Sequence, residues 1–467
     1  MARTRVIYQS EALYCSQDVA YNVAQTGNGG PDWSRDFNIK DLNRVQSVNY
    51  SFSVARQDVN QYGDLAAIDQ IITEAPTVSL DATYLLSNFT NEHRLGFFVT
   101  QSGEGTVYTN GLATADTTGV KSAITNLIDS SSNAYQKNYF ILTTKEGKDA
   151  NKVSKTGVPL SASGNYESII GIGNGFLSSY STEGAVGGMP SVSFSVEGQN
   201  MNFTSIPDTG NNPAHAQPAT GAGFRTTAAK GNGSLIGLSG VTPAVNPIDG
   251  SQYGFPVCLP IPTGNATGIS GSLMGDISTL LPGDITININ KQSGDAGIYN
   301  AATGTIGVDG FREGGRGMED PNYAGLKIED AHIQSYSINF DLSRSPVQKL
   351  GVKYAFARPV DFPINVSLSV DAIVSDLTSG SLAQMIECDD PFDVRVSLKD
   401  PTCETSPKPI VCNYVVKGVK LDSQSFSSDI GSNKTVTLDF STQIGGPNQK
   451  NKGIFMSGYH DNPYNYS

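Results

Sequence analysis

The chain has little of what catalytic and metal-binding proteins usually need. Its four histidines, His93, His215, His332 and His460, are scattered, and none stands in an HExxH, HxH or similar ligand spacing. Five cysteines (Cys15, Cys258, Cys388, Cys403, Cys412) are odd in number and include no CxxC pair, so free thiols made in a reducing compartment are expected rather than a disulfide framework. Tryptophan occurs once, as Trp33. Only 16% of residues are charged, and cations are the scarcer sign: 31 basic against 44 acidic side chains give a net charge of −13. That balance argues against a basic surface that grips phosphates. No apolar run approaches the roughly 18–20 residues of a membrane-spanning helix. The opening "MARTRVIYQSEALYCS" lacks an apolar core, so no secretory leader is expected.

Known chemical motifs are missing too. There is no GxSxG and no phosphate-cradling GxxxxGK[ST]. "GIGNGF" (Gly171–Phe176) lacks the spacing of a dinucleotide loop and leads into strand-like residues. "ECDDPFD" (Glu387–Asp393) gathers acids without the alternating oxygens of a calcium loop, and reads as a solvated turn. A glycosidase would need a carboxylate pair that stands out from the acidic background, and none does. No catalytic residue, no metal ligand and no cofactor is expected; the chain does not read as an enzyme.

What is present is glycine (50 residues), abundant Asn, Ser and Thr, and 38% apolar residues in short alternating runs. This is the profile of an all-β protein with short helices and many turns. The chain also repeats itself. "RVQSVNYSFSVARQDVNQYG" (Arg44–Gly63) lies without gaps on "HIQSYSINFDLSRSPVQKLG" (His332–Gly351), an offset of 288 (332 − 44). Gln46 meets Gln334, Phe52 meets Phe340, Arg56 meets Arg344 and Gly63 meets Gly351. "TVSLDATYLLS" (Thr77–Ser87) continues onto "NVSLSVDAIVS" (Asn365–Ser375). A later block, Leu177–Val196, lies on Leu421–Phe440 at an offset of 244 (421 − 177). The first copy therefore carries about 44 extra residues (288 − 244), expected mainly at Ser102–Gln136, with a smaller addition at Lys145–Lys152.

Period-two alternation makes "VQSVNYSFSV" and "IQSYSINFDL" half-buried strands. "VSLDATYLL" and "VSLSVDAIV", then "YFILTT" and "FDVRVSL", read as further strands. "NEHRLGF" (Asn91–Phe97) and "SGSLAQMIE" (Ser379–Glu387) read as matching short helices, and the 177–196 and 421–440 blocks as hairpins. Between its first two strands each copy makes a long excursion, Arg56–Pro76 and Arg344–Pro363, holding apolar residues that need burial, with a neighbouring subunit as the expected place. Arg56 and Arg344 are expected either to cap a carbonyl or pair an acid at the loop base, or to contact another subunit. The organisation expected is a first unit over 1–201 (insertion about 102–136), a Gly/Pro-rich decorating segment over 202–325, its latter part feeding the first strands of the next unit, and a second unit over 326–467.

The stretch from "QSVNYSFSVARQDVNQYG" through "PTVSLDATYLLSN" and "NEHRLGF", together with "FLSSYSTEGAVGGMPSVSFSV", resembles the major tail (tail tube) proteins of long-tailed bacteriophages. The second copy carries a weaker version, without the proline of Val-Gly-x-x-Pro. The resemblance implies tail-tube β-sandwich or barrel units whose sheets join across subunits, six units to a ring. Two units per chain then imply a homotrimeric, pseudo-sixfold ring stacked into a tube that passes double-stranded DNA without specific binding. It implies a place in the virion tail after synthesis in the host cytoplasm, and tail terminator, baseplate or tip and tape measure proteins as partners, with no membrane. The expected ring-to-ring contacts are Arg56, Asp58, Tyr62, Asp64 and Ile68 in the first excursion and Arg344, Lys349, Tyr354 and Phe356 in the second. Gln46, Phe52, Gln334 and Phe340 are the expected repeat-equivalent strand residues. The alternative is another β-rich virion part, such as a baseplate, fibre or carbohydrate-binding module.

Overall fold

A computed structural model describes residues 11–16, 39–73, 77–103, 106–107, 122–129, 132, 134–144, 166–198, 200–205, 223–227, 256–260, 279–291, 299–300, 305–306, 331–347, 350, 358–374, 391–399, 401, 410–427, 434–445 and 452–458. The protein is all-β with short helices. The first unit contains β1 (Glu11–Ser16), β2 (Ile39–Asp41), β3 (Val45–Ser53), β4 (Arg56–Val59), β5 (Asp69–Ile72) and β6 (Thr77–Leu85). It continues with α1 (Thr90–Leu95), β7 (Val99–Gly103), β8 (Thr106–Val107), α2 (Thr125–Ile128), β9 (Lys137–Thr144), β10 (Tyr166–Ala185), β11 (Ser191–Gly198) and β12 (Asn200–Ser205). Two small ribbons follow, β13 (Gly223–Thr227) with β14 (Pro256–Pro260), and β16 (Tyr299–Asn300) with β17 (Thr305–Ile306); β15 (Ile285–Lys291) lies between them in sequence. The remaining strands are β18 (Ala331–Asp341), β19 (Ile364–Val374), β20 (Phe392–Lys399), β21 (Ile410–Ser427), β22 (Thr435–Ile444) and β23 (Gly453–Gly458).

The strand pairings build two units of the same plan. In the first, β1, β9, β10 and β12 form an outer sheet, and β3, β6, β11 and β10 an inner one. In the second, β15, β20, β21 and β23 repeat the outer sheet, and β18, β19, β22 and β21 the inner one. β15 lies in the latter part of the 202–325 segment and pairs with β20 as β1 pairs with β9. The long strands β10 and β21 pass through both sheets of their units, so the two layers are continuous at one side. Each changes register on entering the inner sheet, at Leu177/Ser179 and at Leu421/Ser423, positions again 244 apart. β3 and β18 carry their own irregularity at Val45/Ser47 and Ile333/Ser335, 288 apart, with Gln46 and Gln334 as the extra residues. Phe52 opposes Val78 as Phe340 opposes Val366. Bulges bend and twist a strand at a chosen point, so the two inner sheets curve alike. Tyr139 and Val394, which oppose Ile172 and Val416, are 255 apart (394 − 139). The difference in spacing between the two units therefore splits into a larger part before β9 and a smaller part after it.

The inner sheets join edge to edge. β10 pairs antiparallel with β18 from Ser179↔Asp341 to Ala185↔Ser335, making one row of eight strands, β3-β6-β11-β10-β18-β19-β22-β21. Gly184 is required here, because a Cβ would lie 2.6 Å from the Tyr336 ring. The apolar face of the row packs on the outer sheets and α1, with Val78, Leu80, Phe194, Tyr180, Ile338, Phe340, Leu368 and Leu438 buried. Phe97 closes this core against Tyr180 at 4.8 Å and Phe340 at 6.1 Å between ring centroids.

α1 matches the first expected helix; the second, 379–387, lies outside the described residues. Asn88 Oδ1 accepts from Thr90 N at 3.0 Å, and Gly96 ends the helix in the left-handed region (φ 110), where its N–H donates to the Glu92 and His93 carbonyls. Asn91 and Asn43 exchange two hydrogen bonds, and Arg94 reaches Asp41, which pins α1 beside the start of β3. The first unit also reaches into the second: β7 runs parallel to β23, and Ala123 N donates to the Ile454 carbonyl at 2.8 Å.

Candidate functional site

The exposed face of the eight-stranded row is a distinctive surface among the described residues. Alternation places Ser47, Asn49 and Ser51 of β3, Ser79, Asp81 and Thr83 of β6, and Ser191, Ser193, Ser195 and Glu197 of β11 on one side. The same side continues with Ser179, Ser181 and Glu183 of β10 and Ser335, Ser337, Asn339 and Asp341 of β18. β19, β22 and β21 add Ser367, Ser369, Asp371, Thr437, Asp439, Ser441, Ser423 and Ser425. Within the described, paired residues of this row the only Lys or Arg is Lys420, in the terminal pair with Ser441.

Short side chains keep this face low, and neighbouring strands satisfy one another across it. Ser47 and Thr83 share a hydrogen bond of 2.7 Å, as do Ser51 and Ser79. Asp371 accepts from Ser335 at 2.6 Å and Thr437 at 2.5 Å. Asp439 accepts from Ser369 at 2.7 Å and Ser423 at 2.6 Å. Each of these carboxylates therefore ties three strands together, and hydroxyl donors are spent sideways rather than offered outward. Glu197 is balanced by Arg358 at 2.5 Å. A polyanion near such a surface meets carboxylates, with few donors and almost no cation to hold it.

The row ends in two unfilled edges. Among the described residues β3 pairs only with β6, and the outer half of β21, Lys420–Ser427, only with β22. Tyr50 and Phe52 lie on the apolar face of β3, opposite Leu80 and Val78, yet are 39% and 44% exposed. Their repeat equivalents Ile338 and Phe340 are 0% and 2% exposed, covered by β10 and Phe97. Phe426 on β21 is 54% exposed, whereas Thr182, its equivalent on β10, is 0% exposed.

The first excursion is a ribbon rather than a loop: β4 pairs with β5, and Gln70 Nε2 donates to Asp58 at 2.8 Å. Arg56, Asp58, Tyr62, Asp64 and Ile68 are all exposed on it, and Tyr62 and Leu65 stand free at its tip. The second excursion differs. Arg344, expected among the ring-to-ring contacts, turns inward over the Tyr135 and Phe176 rings at 4.7 and 4.9 Å. It donates to the Leu127 carbonyl at 2.7 Å and the Arg358 carbonyl at 3.1 Å. It is a carbonyl cap at the loop base, one of the two roles expected for it, with Leu127 and Tyr135 of the first unit's insertion and Phe176 of β10 forming its seat. Lys349, Tyr354 and Phe356 lie outside the described residues. The repeat-equivalent pairs Gln46/Gln334 and Phe52/Phe340 hold matching places in β3 and β18.

One buried polar group gave no sign in the sequence. Glu92 on α1 is fully buried, and its Oε1 accepts from the Tyr84 hydroxyl at 2.8 Å and the Tyr180 hydroxyl at 3.1 Å. Tyr180 in turn meets the Tyr414 hydroxyl of the second unit at 3.0 Å. Burial pushes the Glu92 carboxyl up to about 7, against the opposing pull of its tyrosine hydrogen bonds. This cluster lies at the seam between the units and opens on no surface. Among the described residues no group of three or more His, Cys, Asp or Glu could hold a metal, and no helix is long and apolar enough to cross a membrane.

No protein-family model and no curated protein matches the chain. Several solved structures are similar to parts of it, two of them as follows. The anti-feeding prophage baseplate, in its six-fold symmetrised structure, aligns over 26% of this chain and 76% of its own, at 15% identity and a TM-score of 0.21. The SPP1 tail tube aligns over 39% of this chain and 81% of its own, at 10% identity and a TM-score of 0.24.

Proposed function

We propose that the chain is a structural, non-enzymatic component of a phage-type tail, a tandem duplication of one tube-forming unit. Three copies form a pseudo-sixfold ring, and rings stack into a tube that conducts genomic double-stranded DNA during ejection. The observation that carries this is the row of eight strands built from two equivalent halves, with a small hydroxyl and carboxylate face almost free of cations. A row of eight closed on itself would leave an interior only wide enough for side chains to fill. This face could not be packed away there, because carboxylates such as Asp371 and Asp439, hydrogen-bonded but without a neighbouring cation, are costly to bury. Three rows closed into one barrel bring together 24 strands (3 × 8), more than the roughly 16–18 at which barrels already hold an aqueous channel. The face then lines a wet lumen that repels phosphates. The protruding β4–β5 ribbon, with Tyr62, Leu65 and Ile68 exposed, supplies the contact between rings. The tail terminator, baseplate or tip and tape measure proteins are the proposed partners, and the virion tail the proposed location.

Negative-stain microscopy of the purified protein tests this directly. Rings or tubes with a channel about as wide as a DNA duplex are expected, and a chain lacking Asp58–Glu74 should give rings that do not stack. Isolated monomers at every concentration would sink the proposal. Tubes formed by the shortened chain would remove the ribbon from its role.

A further inference from the structure

Among the described residues the molecule contains one complete example of the joint that a ring needs, between β10 and β18, and two strand edges that take up no second strand, on β3 and on the outer half of β21. β3 is the repeat equivalent of β18, and the outer half of β21 that of β10. We infer that β3 of one copy pairs antiparallel with β21 of a second copy in the register of the internal joint, with Ser51 opposite Ser425, Tyr50 opposite Phe426 and Phe52 opposite Gln424. The inference rests on the ring proposed above and adds the residues at which one chain meets the next.

The register follows by displacement. In the internal joint Ser181 faces Asn339, Thr182 faces Ile338 and Tyr180 faces Phe340. Moving the first member by 244 and the second by −288 gives the three pairs named. Both strands already carry the matching irregularities, so their curvature and side-chain phase agree with the template. A one-residue slip would turn Tyr50 and Phe52 into the polar face.

The residues at these edges need what the pairing provides. Tyr50 and Phe52 are exposed where Ile338 and Phe340 are buried. Phe426 is also exposed, with Lys434 Nζ 4.9 Å from its ring centroid, leaving room for an aromatic neighbour across the strand. Gln424 Nε2 is buried without a hydrogen-bond partner. A long strand edge with open N–H and C=O groups is a template for another strand. Here the two edges are at opposite ends of one row, so the contact is head-to-tail and closes into a ring when the rotation allows.

The two kinds of joint are not identical. Lys420 holds the place of Phe176, so the aromatic seat that receives Arg344 in the internal joint is not repeated for Arg56. Ser441 holds the place of Glu197, which pairs with Arg358. The joint between chains therefore relies on strand pairing and its aromatic residues, and lacks the charged clamp of the joint within a chain.

Cysteine cross-linking between two differently marked chains reads the register. A chain with Ser51→Cys is mixed with a chain with Ser425→Cys, allowed to assemble and oxidised; a disulfide-linked dimer is expected from the mixture and from neither alone. Asn49→Cys with Ser427→Cys tests the same register one step along. Replacing Ser51→Cys by Asn49→Cys or Ser53→Cys, against Ser425→Cys, should slow linking by about tenfold or more, because diagonal partners exceed disulfide reach. Rings in the microscope with linking only through these displaced pairs would overturn the register and leave the ring intact. Absence of rings, with no linking by any pair, would overturn both. A link within one chain carrying Ser51→Cys and Ser425→Cys, at monomer mass, would overturn the joint in favour of self-closure.

Discussion

Glu92 shows how much a single buried group can hide. In "NEHRLGF" it reads as an ordinary helix carboxylate, yet it is enclosed by Tyr84, Tyr180 and Tyr414, with Cys412 and Tyr336 nearby. Its folded-state pKa is raised from 4.5 to about 7, with desolvation the leading cause. The raised value means that the folded protein holds the proton more tightly than the unfolded chain. Stability is therefore fully present below about 4.5, declines as pH rises towards 7, and levels off above it. Glu92→Gln should flatten this dependence, with the wild-type loss across the window on the order of a few kcal/mol. Urea unfolding of unassembled protein from pH 4.5 to 8 measures it; an equally steep slope in the variant would place the pH dependence elsewhere. No local signal marks Glu92, because its burial depends on strands contributed from positions far along the chain.

At the scale of an element, β3 and β18 carry the same motif with different fates. "VQSVNYSFS" and "IQSYSINFD" both alternate correctly, both bulge at the glutamine, and both were legible as strands. That Phe340 is buried and Phe52 exposed was not legible, because the difference lies in the neighbouring strand. Phe340→Ala should destabilise the unassembled chain by about 3–5 kcal/mol. Phe52→Ala should cost the same chain less than about 1 kcal/mol, while lowering ring yield. Denaturation of monomer and sedimentation of assembled protein separate the two effects, and equal destabilisation by both changes would contradict the open edge. The excursions make the same point. Arg56 and Arg344 share a sequence position, yet only Arg344 has the Tyr135 and Phe176 rings to lie against.

For the whole molecule, the property that matters is the charge of the shared face. Its hydroxyls and carboxylates could be read from the alternation, strand by strand, but not that eight strands would present them side by side. If the face lines a channel for DNA, added cations should make it sticky. Asp81→Lys together with Ser193→Lys should leave rings intact while tubes retain short linear duplex DNA at low salt. That retention should fall steeply as salt rises, as counterion release requires. Wild-type tubes should retain none under the same conditions. A variant that retains no more DNA than wild type would argue that the face does not line the path.

The sequence by itself determined the all-β class with short helices and the phase of each described strand. Period-two alternation and repeat spacing are local properties, and they survive without knowledge of neighbours. Only the tertiary structure decided which edges meet. It placed β10 beside β18, paired β15 with β20, gathered Glu92 into the seam, and among the described residues left β3 and the outer half of β21 without a second strand neighbour at the two ends of one row. Any alternating strand can pair with any other, so the choice is made by non-local hydrogen bonds, bulge positions and the side chains that cover the joint.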